Sequence, residues 1–290
     1  MKQLLILSGK GGTGKTTIAS AFIRLAEAKA YADCDVDAPN LHLISNWDSP
    51  PARKDYYGLP KAMIDLDLCV ECGICQANCR FDAISFKGKY EINPYACEGC
   101  SVCEFVCPAK AITMMPAVAG ELMLYADAEK VFSTAQLKMG SGNSGLLVTE
   151  VKKQMKAAAK TEAKIAVIDG SPGIGCPVIA SLSGVDMVLI VAEPSVSGIS
   201  DMERIIKTAA GFNTRIAVCI NKFDINREKS IQIKEICEKE NLDFVGKIPF
   251  DPAVVKIINS GQSIVEVDCI SGSEVKKVFQ KTMGLLLKKA

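Results

Sequence analysis

Eight of the chain's thirteen cysteines fall into two runs of one spacing, Cys69, Cys72, Cys75, Cys79 and Cys97, Cys100, Cys103, Cys107, each C-x2-C-x2-C-x3-C. A cubane [4Fe-4S] cluster takes one thiolate per iron, three from a tight loop and the fourth from a short helix, and this spacing supplies such a set. The runs are also an internal repeat with an offset of 28 residues, since Ala83-Ile84 behind the first matches Ala111-Ile112 behind the second. Two clusters are expected. A pair of four-cysteine zinc sites, which also use C-x2-C, is the alternative, and the doubled pattern weighs against it.

A second constellation stands at the N-terminus. An apolar run of strand length, Gln3 to Ser8, ends at Gly9 and is followed by Lys10-Gly11-Gly12-Thr13-Gly14-Lys15-Thr16-Thr17, with a helix-forming stretch, Ile18 to Ala30, behind it. This satisfies G-x4-G-K-[ST] in the order strand, loop, helix that a phosphate-binding loop requires. The glycines let backbone N–H groups close around phosphate oxygens, and the helix N-terminus adds partial positive charge. Lys15 is expected to reach the β- and γ-phosphates and the Thr16 hydroxyl to ligate Mg2+. The alternative is a glycine-rich turn without a ligand.

The cysteine runs resemble those of two-cluster bacterial ferredoxins, in which the fourth cysteine of each run serves the other cluster. That resemblance implies Cys69, Cys72, Cys75 and Cys107 for one cluster, and Cys97, Cys100, Cys103 and Cys79 for the other. One departure is Arg80, which stands where the second run carries Pro108. Its charge bears on the potential of the cluster near Cys79 and not on ligation.

The phosphate loop resembles the deviant Walker A, G-K-G-G-x-G-K-[ST]-[ST], of the MinD/ParA/nitrogenase iron protein (SIMIBI) superfamily. Its mark is the extra lysine, Lys10. The resemblance implies ATP or ADP bound by Gly11, Gly12, Thr13, Gly14, Lys15, Thr16 and Thr17. It also implies a nucleotide-sandwich dimer, a homodimer or a heterodimer with a paralogue, in which Lys10 crosses to the partner's nucleotide; the alternative is a lysine that neutralises only its own nucleotide. An aspartate after the second strand orients the attacking water in this superfamily, and Asp35 fits best, with Asp33 and Asp37 as alternates. Asp169-Gly170-Ser171-Pro172-Gly173 is similar to switch II, so Asp169 would hold the Mg2+ shell and Gly173 would offer its N–H to the γ-phosphate. Lys10, Lys15, Asp35 and Asp169 form the implied catalytic set. Asn221 and Pro249 take the adenine-cradling roles by resemblance. Asn221 to Asp224 also matches the guanine motif of GTPases, whereas the G-K-G-G loop favours ATP. Cys176 stands seven residues after Asp169, the offset of a cluster cysteine in the nitrogenase iron protein, but no cysteine lies between Cys107 and Cys176 to complete a bridging site.

These residues need an α/β scaffold. Alternating strand and helix patterns imply a mostly parallel sheet with helices on both faces and ligands at the strand C-termini. Buried strands are expected at Lys164 to Ile168 and Met187 to Ala192, and Arg215 to Ile220 and Asp243 to Ile248 are the segments that deliver Asn221 and Pro249. Helices are expected over Leu146 to Lys160, Ser200 to Ala210 and Glu274 to Lys289, and one or two strands over Ala119 to Leu137. The C-terminal helix reads as docked on the core rather than on a membrane. Residues 59–116 form an inserted, small, ferredoxin-like α+β domain, and residues 1–58 and 117–290 form the P-loop ATPase domain. Asp48 to Gly58, rich in Pro and Asp, reads as the boundary.

The bulk numbers restrict the function class. With 290 residues and 49% apolar content there is room for one large and one small domain. A net charge of +1 gives no electrostatic reason to expect nucleic acid or an acidic membrane. No signal peptide or spanning run is evident, so the chain reads as cytoplasmic, where cysteines favour metal over disulfides. The leading expectation is Mg-ATP hydrolysis coupled to electron transfer from two clusters to a redox partner. An Mrp-type cluster carrier, delivering to an iron–sulfur acceptor protein, and a non-redox positioning ATPase are the alternatives; an amide synthetase lacks the expected glutaminase domain.

Overall fold

The computed structural model describes residues 1–45 and 47–288. The first part of the chain runs β1 (Lys2–Leu7), α1 (Lys15–Leu25), β2 (Ala30–Asp33), β3 (Ala52–Tyr57) and β4 (Lys61–Ile64). Next come α2 (Ile74–Ala77), β5 (Ile84–Phe86), β6 (Tyr90–Ile92), α3 (Val102–Phe105), β7 (Ile112–Met115), β8 (Val118–Ala126) and β9 (Val131–Leu137). Then follow α4 (Ser144–Ala158), β10 (Ile165–Asp169), α5 (Cys176–Leu182), β11 (Met187–Ala192), α6 (Val196–Ala210) and β12 (Arg215–Asn221). The last elements are α7 (Arg227–Lys239), β13 (Asp243–Ile248), α8 (Ala253–Asn259) and α9 (Ile270–Leu287). Two compact units result, one of Met1–Arg53, Leu122–Gln136 and Ser144–Ala290, the other of Lys54–Glu121 and Leu137–Asn143.

In the larger unit, strands follow the order β13-β12-β11-β1-β10-β2-β9, and each neighbouring pair is parallel. Strands β1, β2 and β11 are buried almost end to end, the signature of a parallel sheet covered on both faces. This is the expected α/β P-loop architecture with a mostly parallel central sheet. Phe22 on α1 is fully buried and meets Phe279 of α9 edge to face at 5.1 Å. Val275, Val278 and Leu286 of α9 are buried as well, so the helix lays its apolar face on the core. The expected end of that helix at Lys289 lies outside the described residues. Among the described residues no helix is long and apolar enough to cross a membrane.

The smaller unit carries the sequence repeat into its backbone. Strands β4 and β7 pair antiparallel, as do β5 and β6, and α2 and α3 are single turns 28 residues apart. Positive φ angles recur at the same offset: Glu71 and Gly99, Gly73 and Ser101, Asp82 and Lys110. Ala83, Ile84 and Ile112 fill its core beside Cys75 and Cys97.

Several boundaries differ from expectation for identifiable reasons. The first helix starts at Lys15 rather than Ile18 and ends at Leu25 rather than Ala30, because Glu27 turns left-handed at φ 46 and Ala30 already opens a buried strand. Asp48 to Gly58, expected as the boundary, contains strand β3. Helix α6 begins four residues before Ser200, where the Ser195 hydroxyl accepts the Gly198 N–H and caps it. Helices α5, α7 and α8 had no counterpart in the sequence reading.

Truncating Phe22 removes a fully buried ring and the contact that seats α9. The expected cost of Phe22→Ala is about 3–5 kcal/mol, read as a lowered urea midpoint; a loss under about 1 kcal/mol would show that α9 does not depend on this contact.

Candidate functional site

Strand β1 lies between β10 and β11, and its register sets Ile6 opposite Asp169. The loop after β1 and the aspartate ending β10 are thereby brought to one edge of the sheet, where parallel strands present ligands. Gly14 precedes α1 in the left-handed region at φ 89, and a Cβ there would lie 2.4 Å from Asn221 Nδ2. Only glycine allows both the turn and that approach. Asn221 uses the same amide to donate to the Thr13 carbonyl at 2.6 Å.

An open cleft of about 640 Å3 is lined by Lys10 to Thr17 together with Asp35, Asp37, Ser171 and Pro172. At its floor Lys15 Nζ donates to Asp169 Oδ1 at 2.5 Å, with 6% of the lysine side chain exposed and none of the aspartate. Burial works to lower the Lys15 pKa, yet the adjoining Asp169 carboxylate outweighs it and the pKa stands above its usual value. Asp169 Oδ2 is buried and finds no partner among the described residues. A carboxylate oxygen left over in this way, near a cleft lined by the threonine of the phosphate loop, fits a Mg2+ shell.

The three candidate aspartates divide by environment. Asp33 is fully buried and accepts the N–H groups of Asp35, Asn40 and Leu41, each at 3.0 Å, so it organises the loop rather than facing it. Burial raises its pKa, and Asp169 adds to the rise. Asp35 and Asp37 line the cleft, and burial also raises Asp35, with Lys15 working against it.

The other residues group around this floor. Gly173, at φ 96, gives its N–H to the Ser8 carbonyl at 3.1 Å. Lys10 pairs with Glu193 at 2.7 Å, and Lys222, 3.6 Å from the same carboxylate, donates to the Gly12 carbonyl at 3.0 Å. Glu193 carried no motif, and its signal was position, directly after the C-terminal end of β11; Lys222 lies within the Asn221 to Asp224 motif, although its bond to the phosphate loop is a finding of the structure. Pro249 does not line the cleft: its carbonyl accepts from Ser271 Oγ at 2.9 Å. It does lie beside the Asn221 segment, because Asp224 accepts the Phe250 N–H at 2.7 Å.

In the smaller unit the cysteines surround two spaces. Cys69, Cys72, Cys75 and Cys107 line one small apolar cavity of about 20 Å3, and Cys79, Cys97, Cys100 and Cys103 line another of about 20 Å3. Apolar side chains complete each wall, Ile64 and Ile112 in the first, Ile84 and Met114 in the second. The Ala111 N–H points at Cys107 Sγ from 3.3 Å. Among the described residues no three acidic, cysteine or histidine side chains converge as ligands of a single ion. A cubane takes one thiolate at each of four corners, so four cysteines around a partly open apolar space are a donor set of the right kind and number for it. Elsewhere Cys34, Cys219 and Cys237 are buried, and burial pushes their thiols up to about 12, 12 and 11; Cys176 is exposed.

Residues 4–264 match the CobQ/CobB/MinD/ParA nucleotide binding domain. The chain belongs to this family. Among its relatives is the uncharacterized protein MJ0578 of Methanocaldococcus jannaschii, 30% identical over 96% of this chain and 95% of that protein. A ferredoxin of Pyrobaculum islandicum is 36% identical over 55 residues, 18% of this chain and 51% of the ferredoxin. The fold is shared with the septum site-determining protein MinD of Pyrococcus horikoshii complexed with Mg-ADP, at a TM-score of 0.60 and 16% identity over 99% of both chains.

The Lys15–Asp169 pair gives the family fold here a measurable dependence. Asp169→Asn leaves a buried ammonium without its counter-charge, and about 3–5 kcal/mol of stability is expected to be lost without nucleotide. Added nucleotide should recover part of it by supplying phosphate to Lys15. Thermal melts with and without Mg-nucleotide read both effects; a variant as stable as the parent would refute the pairing.

Proposed function

We propose that this chain binds Mg-ATP at Gly9 to Thr17 and that hydrolysis controls electron transfer from two [4Fe-4S] clusters in its inserted cysteine unit to an acceptor protein. The observation that carries the reading is the partition of the cysteines, three from one run and the fourth from the other around each of two apolar cavities. When bound, such a cluster takes up and releases one electron at a time. The partial likeness to a ferredoxin supports the same assignment.

The nucleotide half rests on the cleft and on family membership, and the Mg-ADP in the Pyrococcus horikoshii protein favours an adenine nucleotide. On binding, Lys15 exchanges Asp169 for the β- and γ-phosphates, which frees Asp169 to join Thr16 around Mg2+. Gly173 turns its N–H from Ser8 to the γ-phosphate, and Asp35 orients the attacking water. Asn221 and the main chain at Pro249 cradle the base. Lys10, released from Glu193, reaches the nucleotide of a second subunit, either a copy of this chain or a paralogue. In the reducing cytoplasm the eight thiols remain available as ligands. Coupling requires that nucleotide bias two arrangements differing in their contacts.

Anaerobically purified protein should hold about eight iron per chain, and Cys107→Ser or Cys79→Ser should each bring this toward about four. Mg-ATP should shift the cluster potentials in an EPR-monitored redox titration, or change the rate of reduction of an acceptor, and Lys15→Ala should abolish the shift. Zinc in place of iron overturns the assignment. Transfer of both clusters to an apo-acceptor would make the protein a carrier, and retained clusters wholly indifferent to ATP would leave a positioning ATPase.

A further inference from the structure

Helix α4 touches the nucleotide side of the larger unit at two points seven residues apart, which places them on one face of the helix. At its start, a Cβ on Gly145 would lie 3.0 Å from the Cys176 carbonyl oxygen and 3.1 Å from Cys176 Cβ, so the helix comes against the first turn of α5 at backbone distance. Two turns later Lys152, 5% exposed, donates to the carbonyls of Ala180, Ser181 and Ser183 at 3.2, 2.5 and 2.6 Å. These are the unpaired carbonyls at the C-terminal end of α5, where a cation is also favoured by the helix dipole. Burial lowers the Lys152 pKa to about 8, with the nearby Cys34 working against the fall. Helix α5 is therefore gripped at both ends by α4, and it begins where the loop from Asp169 to Gly175 stops.

The start of α4, one residue before Gly145, is joined by the chain itself to Leu137–Asn143, the segment that belongs to the cysteine unit. Within that unit, Cβ positions at Gly140 and Gly142 would lie 3.5 Å from the Tyr95 ring and 3.5 Å from Glu98 Oε2. Glu98 stands between Cys97 and Cys100 in the sequence. Gly140 and Gly142 themselves, and Asn143 just before the helix, hold left-handed backbone.

We infer that α4 is the strut by which movement of the Asp169–Gly175 loop reaches the second cysteine run, with Gly145 and Lys152 as its positioning residues. The inference rests on the proposed coupling of nucleotide to the cysteine unit. It adds a route: the loop displaces α5, α5 carries α4 through the Gly145 contact and the Lys152 bonds, and α4 pulls on the segment covering Tyr95 and Glu98. A coupling route needs evidence from both ends and from its middle.

Amide hydrogen exchange on the anaerobically purified, cluster-loaded protein, with and without a nonhydrolysable Mg-ATP analogue, supplies that evidence. In the parent, nucleotide should slow exchange in Leu137–Asn143 by roughly 5-fold or more, the low end of typical coupling between sites. Gly145→Ala, Lys152→Met and an insertion of two glycines between Asn143 and Ser144 should each abolish that response. Nucleotide protection of the phosphate loop and the iron content should stay as in the parent. Lys152→Arg should restore part of the response. No response in the parent segment, or an undiminished response in the glycine-insertion variant with its iron intact, overturns the strut. If the segment responds while the cluster potentials do not, the strut stands and the redox reading falls.

Discussion

A lysine ammonium that is 6% exposed cannot stay charged without a partner, and in this chain that partner is Asp169. The pairing determines much else. Lys15 opens a helix behind a glycine turn, while Asp169 closes a strand in a distant part of the chain, so the two meet only if β1 and β10 are neighbours in register. The same adjacency sets Gly173 under Ser8 and places Asp33, at the end of β2, behind the floor. The nucleotide-free floor is thus a neutralised pair with one carboxylate oxygen to spare, an arrangement that phosphate and a divalent cation can take apart one partner each.

The motifs were legible because their chemistry is local. Gly9 to Thr17 needs only a strand before it and a helix behind it, and the structure supplies both. The buried strand β11 was equally plain and runs over the anticipated residues, since a fully covered parallel strand leaves a continuous apolar run; β13 also keeps its expected bounds, as a partly buried edge strand. What escaped was tertiary in origin. Helix α7 has a strongly polar sequence and buries only Ser230, Ile233 and Cys237. Helices α5 and α8 are seven residues each, too short for periodicity to register. Glu193 follows a strand as an ordinary acidic residue, and its pairing with Lys10 depends on β11 lying beside β1.

The cysteine unit shows a different relation between sequence and structure. Its repeat was visible in eight residues, yet the backbone keeps the symmetry where the side chains abandon it. Glycine takes the left-handed turn at one member of two pairs, while Glu71 and Ser101 hold the same conformation without glycine's freedom. Asp82 and Lys110, opposite in charge, do so as a matched pair. The geometry of the two runs is thereby equalised, and chemical difference is left to flanking positions such as Arg80 and Pro108.

The distance along the chain between Lys15 and Asp169, 154 positions, also orders the birth of the molecule. As the chain leaves the ribosome, β1 and β2 emerge long before β10, the strand that stands between them in the finished sheet. The cysteine unit has all of its own strands by then, and domains tend to fold as units during synthesis. The phosphate loop acquires its floor only after Cys107, the last cysteine of the two runs, has been made. A truncated product lacking β10 would carry both cysteine runs and no Asp169 to meet Lys15, so biosynthesis itself completes the cysteine unit ahead of the floor of the phosphate loop.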